Sequence, residues 1–152
     1  MKNILKKTVK AVVLIPLVLI VLFIAFEIIG AFVNSAAAAK QTKQLQSDIV
    51  KVLQNAAVLD TYSETGNTSG TGNHVDMLSI IVFQTDDSIE EIIEKLQDKY
   101  DFNEWYCRVE VLGDIQEKPD VYKNLTLPDK ADNCYVFYLN RSAPFRGNIA
   151  GH

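Results

Sequence analysis

At 152 residues, with 15 Lys and Arg against 19 Asp and Glu and a formal net charge of −4, the chain offers no basic face for nucleic acid. Two cysteines without a C-x-x-C spacing exclude a thioredoxin-like redox site, and there is no internal repeat or long low-complexity tract. Beyond the apolar N-terminus about 110 residues remain, enough for one small domain.

Lys2, Lys6, Lys7 and Lys10 precede an apolar run from Ala11 to Val33, broken only by Glu27 and Gly30. A bilayer core about 30 Å thick is crossed by about 20 apolar residues in a helix. Pro16 is compatible with that reading, because membrane helices tolerate proline better than soluble ones. The four lysines lie before the run, and Lys40 and Lys43 are the first cations after it. The positive-inside rule then keeps the N-terminus cytoplasmic and places the C-terminal domain outside the membrane. The alternative is secretion after cleavage near Ala38, where Ser35-Ala36-Ala37-Ala38 offers a small-residue site. Signal sequences carry shorter apolar cores of about 7–15 residues, which favours a retained single-pass signal-anchor. An acid at mid-bilayer costs about 2.5–3.5 kcal/mol on insertion scales. Glu27 is therefore predicted either to contact a membrane partner or to sit at the outer interface, with the span shifted to about Val9–Ile28.

From Ala36 to about Asn55 the pattern predicts an amphipathic helix continuing from the membrane segment. Leu45, Ile49, Val52, Leu53 and Ala56 share one face. The chain thus divides into cytoplasmic lysines plus anchor (1–34), amphipathic helix or stalk (35–56) and an extracytoplasmic α+β domain (57–152). Val58–Glu64 alternates weakly, as a strand does. Thr65–Asn73 is a Gly/Asn/Thr/Ser loop. Val75–Gln84 is rich in β-branched and aromatic residues and apolar on both faces, which predicts a central strand. Ser88-Ile89-Glu90-Glu91 fits a capping box that opens a helix whose stripe is Ile89, Ile92, Ile93, Leu96 and Tyr100. Trp105–Leu112 alternates, with Trp105, Cys107, Val109 and Val111 on one side. Gly113–Asn133 reads as a polar loop, Cys134–Leu139 as the last strand, and Ser142–His152 as a tail along the surface. The expected fold is α+β: a membrane helix running into an amphipathic helix, then a ββαββ-type sheet of about four strands with both helices on one face.

No catalytic set emerges, because neither G-x-S-x-G nor S-x-x-K occurs. No cofactor and no metal site are expected. His74 and Asp76 are two residues apart on a strand and share a face, with Glu64 expected across the hairpin. This trio is the basis of an alternative reading as a secreted or surface enzyme. The glycine-rich segment lacks the phosphate-loop pattern and is followed by a strand, so it reads as a hairpin tip. That tip presents Asn67, Thr68, Ser69, Asn73 and His74 and is the predicted ligand or partner loop. Cys107 and Cys134 form a disulfide only if the last two strands depart from a simple hairpin, which sets Cys107 beside Leu139. The tyrosines and phenylalanines of the last strand, with Trp105 and Tyr106, read as core and sheet-face aromatics.

The function expected from these features is that of a membrane-anchored protein whose small outer domain acts in binding or assembly. Its partners are the membrane and a protein met through the outer domain or Glu27. A further reading comes from layout. An apolar helix with one Glu, running into an amphipathic helix capped by a small sheet, resembles the type IV pilin family, and that resemblance implies a filament subunit. The family's processing site places a Gly before a Phe-type residue and Glu at the fifth mature position. Ile24-Ala25-Phe26 before Glu27 does not reproduce it.

Overall fold

A computed structural model describes residues 2–70, 72–115, 124–128 and 132–151, with side chains from Val12 onward. Helix α1, Lys2–Val52, is one unbroken helix of 51 residues containing Pro16. At 1.5 Å per residue it is about 75 Å long. Its two halves face different surroundings. Every side chain from Val12 to Phe26 is exposed, and the helix is long and apolar enough to cross a membrane. An exposed apolar surface of that extent is stable in lipid and not in water. Beyond it a buried stripe runs through Gly30, Asn34, Ala38, Thr42, Leu45, Ile49 and Leu53, at spacings of three and four. The sequence pattern shows this stripe only from Leu45. Its first four members are small or polar and leave no hydrophobic signal.

Strands β1 (Ala57–Gly66) and β2 (Asp76–Gln84) form an antiparallel hairpin. Helix α2 (Ile89–Leu96) follows, then β3 (Cys107–Val111) and β4 (Cys134–Ser142). The sheet is antiparallel throughout, in the order β1-β2-β4-β3. The two central strands, β2 and β4, are buried on both faces, as the unbroken apolar run in β2 predicts. The capping box forms as expected: Ser88 Oγ accepts from the Glu91 amide, and Glu91 Oε2 accepts from the Ser88 amide at 2.8 Å.

On one face, Leu45 and Ile49 of α1, Leu53 just past its end, and Ile92 and Leu96 of α2 pack on Ile81, Phe83, Val109 and Phe137. Both helices lie on this face, in agreement with the expected α+β arrangement. On the other face, Leu78, Ile80, Val82 and Val136 are covered by Leu112 and Leu125. The described parts of the connection between β3 and β4 therefore pack on this face, and the rest of the segment that reads as a polar loop (116–123 and 129–131) lies outside the described residues. Four scattered apolar residues (Leu112, Ile115, Leu125, Leu127) do this without any periodicity a sequence could display.

The segment after β4 turns back onto α1. Asn34 clasps it through both ends of its amide: Nδ2 donates to the Phe145 carbonyl at 3.0 Å, and Oδ1 accepts from the Phe145 amide at 2.9 Å. Lower on the helix, Asn148 Nδ2 donates to the Glu27 carbonyl at 2.7 Å, and the Ile149 amide donates to Glu27 Oε2 at 2.8 Å. Gly30 leaves room for this approach: a Cβ there would lie 2.8 Å from Asn148 Nδ2, so the Asn148 side chain would have to shift. Phe26 and Phe145 pack at a tilt of 58° with ring centroids 5.6 Å apart. Asn34→Ala removes two hydrogen bonds worth about 0.5–1.5 kcal/mol each. Amide hydrogen exchange across residues 143–151 is expected to rise roughly 10- to 100-fold, with little change at Phe137; unaltered exchange in the tail would show that the clasp contributes nothing.

Candidate functional site

A cleft forms where β4 outruns β3. Cys107 pairs with Leu139, and the Asn140 amide donates to the Tyr106 carbonyl at 2.7 Å. Arg141 and Ser142 continue on β4, paired with β2 alone. The space left beside them is a cleft of about 490 Å³. Three segments wall it: the 101–106 turn, the loop between β1 and β2, and the start of the returning tail.

Two of the five predicted loop residues, Ser69 and His74, line this cleft. Ser69 Oγ donates to Asp76 Oδ2 at 2.5 Å, and His74 Nε2 lies 3.1 Å from Asp76 Oδ1. Thr68 stands behind them, its Oγ1 accepting from Asn140 Nδ2 at 3.0 Å. Asn67 and Asn73 are exposed and outside the lining. The tail seals the base of the loop: a Cβ on Gly151 would fall 2.5 Å from the His74 carbonyl carbon. The glycine-rich tip is thus pinned by β4 on one side and by the tail on the other.

The expected meeting of Glu64 with His74 and Asp76 does not occur. Glu64 pairs with Leu78 in the hairpin, and Gly66 is the residue opposite Asp76. The Glu64 carboxylate instead accepts from the Tyr62 hydroxyl at 2.9 Å. No group of three or more metal-ligating side chains occurs among the described residues. Glu27, the other singled-out acid, has an intramolecular partner in the tail. It lies where the exposed apolar half of α1 gives way to the buried stripe.

Cys107 and Cys134 are both buried and are not joined to each other by a disulfide. Cys107 stands opposite Leu139 and Cys134 opposite Gln84, at different ends of β4 and in the cores of opposite sheet faces. Burial pushes the Cys107 thiol up to about 11, although nearby Arg141 pulls it down. Cys134 is raised by burial and by Asp132. Neither is a thiolate nucleophile at neutral pH. In the folded full-length protein both thiols are expected to resist alkylation at pH 7.5, and both to react after denaturation without reductant. Rapid labelling of Cys107 in the native state would contradict its burial.

Trp105 corrects a sequence expectation. The alternating pattern places it on the inner face with Cys107, but β3 begins at Cys107 and residues 102–106 lie in turns. Trp105 is 56 % exposed and lines the cleft. Across from it stand cations that no motif announced. Lys99 Nζ is held by Asp48 Oδ1 at 2.7 Å. Arg141 places its guanidinium 5.8 Å from the centre of the Tyr100 ring, and neither Arg141 nor Arg146 has a carboxylate partner among the described residues. The signal available was the segment Arg141-Ser142-Ala143-Pro144-Phe145-Arg146, with two arginines around a proline where the last strand ends. Guanidinium groups bind carboxylate and phosphate bidentately, and an exposed indole adds a flat apolar wall.

No family model, curated protein or solved structure matches this chain.

Proposed function

We propose that this protein is a single-pass membrane-anchored binding module, with its N-terminus cytoplasmic and its sheet domain outside. The observation that carries the reading is α1 itself. One helix is apolar and exposed to Phe26 and then, without a break, becomes part of the domain core. No flexible linker separates the two halves, and the tail clasps the helix at Glu27, Gly30 and Asn34. The domain is therefore held at a set height above the lipid, with the returning tail on its membrane-facing side. The lysines before the span support the orientation.

Intact mass from fractionated cells, combined with protease treatment of sealed cells or vesicles, tests the proposal. The expected result is full-length mass in the membrane fraction and digestion of the domain only from the outer side. A soluble species beginning near Ala39 would replace the anchor by secretion. Digestion from the cytoplasmic side would invert the topology.

A further inference from the structure

We infer that the returning tail is a second membrane contact: Phe145 and Ile149 dip into the outer leaflet beside α1, where lipid acyl chains cover them. The inference rests on the anchored reading above and adds a surface to it. The apolar layer around α1 does not stop at Glu27. Ile28, Ile29 and Phe32 are all exposed, Phe32 by 74 %. About 20 residues of helix cross the hydrocarbon core. Counted from Ala11, the first residue after Lys10, they end at Gly30. Glu27 then lies roughly 4.5 Å inside the outer edge of that layer. The tail is tied at this depth. Asn148 Nδ2 donates to the Glu27 carbonyl, and the Ile149 amide donates to Glu27 Oε2. A side chain that faces outward here faces lipid. Ile149 is 63 % exposed, and Phe145, half-buried, packs its ring against Phe26 of the span. The exposed apolar surface of the span thus continues onto the tail.

The backbone of the tail supports the same placement independently. Irregular backbone enters lipid only where the protein itself satisfies its polar groups. Every amide from Asn148 to Gly151 has an internal acceptor: the Phe145 carbonyl for Asn148, Glu27 Oε2 for Ile149, Asn148 Oδ1 for Ala150 and the Asn148 carbonyl for Gly151. The Phe145 amide is held by Asn34 Oδ1. Water would serve these donors on an ordinary surface tail, whereas lipid could not. The Ile149 amide also gives the Glu27 carboxylate the partner that an acid inside a bilayer requires. Two neighbours limit the depth. Arg146 is exposed, and its long stem lets the guanidinium reach the headgroups. Gly151 abuts His74, so the polar hairpin tip stops the tail from sinking further.

Full-length protein carrying one nitroxide label is reconstituted in phosphatidylcholine liposomes. Collision of the label with oxygen, which concentrates in lipid, is compared with its collision with a water-soluble nickel chelate. The label is attached through Ile149→Cys, with Phe23→Cys as the reference inside the span and Val50→Cys as the reference in water. Val50 lies 23 residues beyond Glu27, about 35 Å along the helix. All three positions are exposed, so the variants should melt as the wild type does, and the two native thiols are buried, so the label goes to the introduced cysteine. The expected result is an oxygen-to-nickel collision ratio at Ile149 several-fold above that at Val50. A ratio at Ile149 equal to that at Val50, with a high ratio at Phe23, would overturn the tail contact and leave the anchor standing. A ratio at Phe23 as low as that at Val50 would overturn the anchored reading and the tail contact with it.

Discussion

Phe137→Ala is expected to lower the stability of the sheet domain by about 3–5 kcal/mol. Phe137 is fully buried on β4, between Ile81 of β2 and Val109 of β3 in register. Its ring meets Tyr100 edge-on, with centroids 5.1 Å apart, and Phe102 at 5.4 Å. Truncation removes the point where both central strands, both helices and the 101–106 turn converge. Against a total of about 5–15 kcal/mol for a domain, the melting temperature of the full chain in detergent should fall by roughly 10–25 °C. Val50→Ala, on the exposed side of α1, should stay within about 0.5 kcal/mol of wild type. A small effect at Phe137 would mean that the sheet is not the centre of the fold.

Asp48→Asn is expected to destabilise the protein by about 1–3 kcal/mol at pH 7 and to flatten its acid unfolding. Asp48 is buried in α1. Its carboxylate accepts from Lys99 Nζ at 2.7 Å, from the Tyr100 hydroxyl at 2.9 Å and from Gln44 Nε2 at 3.2 Å. Burial alone would raise its pKa, but the hydrogen bonds from Lys99, Gln44 and Tyr100 and the Lys99 charge outweigh it and hold the carboxyl below the ordinary range. Lys99 is half exposed, so solvent screens its part, and the hydrogen bond with Tyr100 matters most. A carboxylate with a depressed folded-state pKa contributes fully above its unfolded value of about 3.9 and loses that contribution as pH falls through the folded value. Stability should therefore drop below about pH 4 in the wild type and less steeply in the variant. Asp87 has its own pair, with Lys95 Nζ at 2.6 Å and the Gln54 amide at 2.9 Å, and is depressed in the same direction despite burial. A residual acid slope in Asp48→Asn is expected from Asp87 and from Asp60, whose carboxyl the Thr126 amide holds below the ordinary range. Parallel pH curves for wild type and Asp48→Asn would show that the network does not couple to folding.

What could be read from the chain followed from patterns with a strong local cause. The apolar run after four lysines, the capping box at Ser88, the apolar strand Val75–Gln84 and the alternation around Val109 each specify their own element. Their order is enough for an α+β class with an apolar N-terminal helix. Local pattern failed where the cause lay in distant neighbours. Gly30, Asn34, Ala38 and Thr42 carry no hydrophobic period, yet they form the buried stripe of α1 because the tail and β2 approach too closely for larger side chains. Thr42 and Gln41, for example, meet Ser79 directly. Trp105 fits an alternating strand, but β3 starts two residues later, and the indole was delivered to a cleft. Glu64 shares a sheet face with Asp76, but it stands one pair away, opposite Leu78, and its carboxylate turns to Tyr62.

The amino-acid sequence by itself determined the apolar helix and the element types, because periodicity and capping act within a few residues of where they are written. Only the tertiary structure decided that Glu27 and Asn34 hold the tail, that the two thiols lie on opposite faces, and that Arg141, Arg146 and Trp105 share one cleft. Those groupings depend on strand register and on where β3 stops beside β4. Register is set by the summed packing of both sheet faces, a quantity that no single segment of the chain contains.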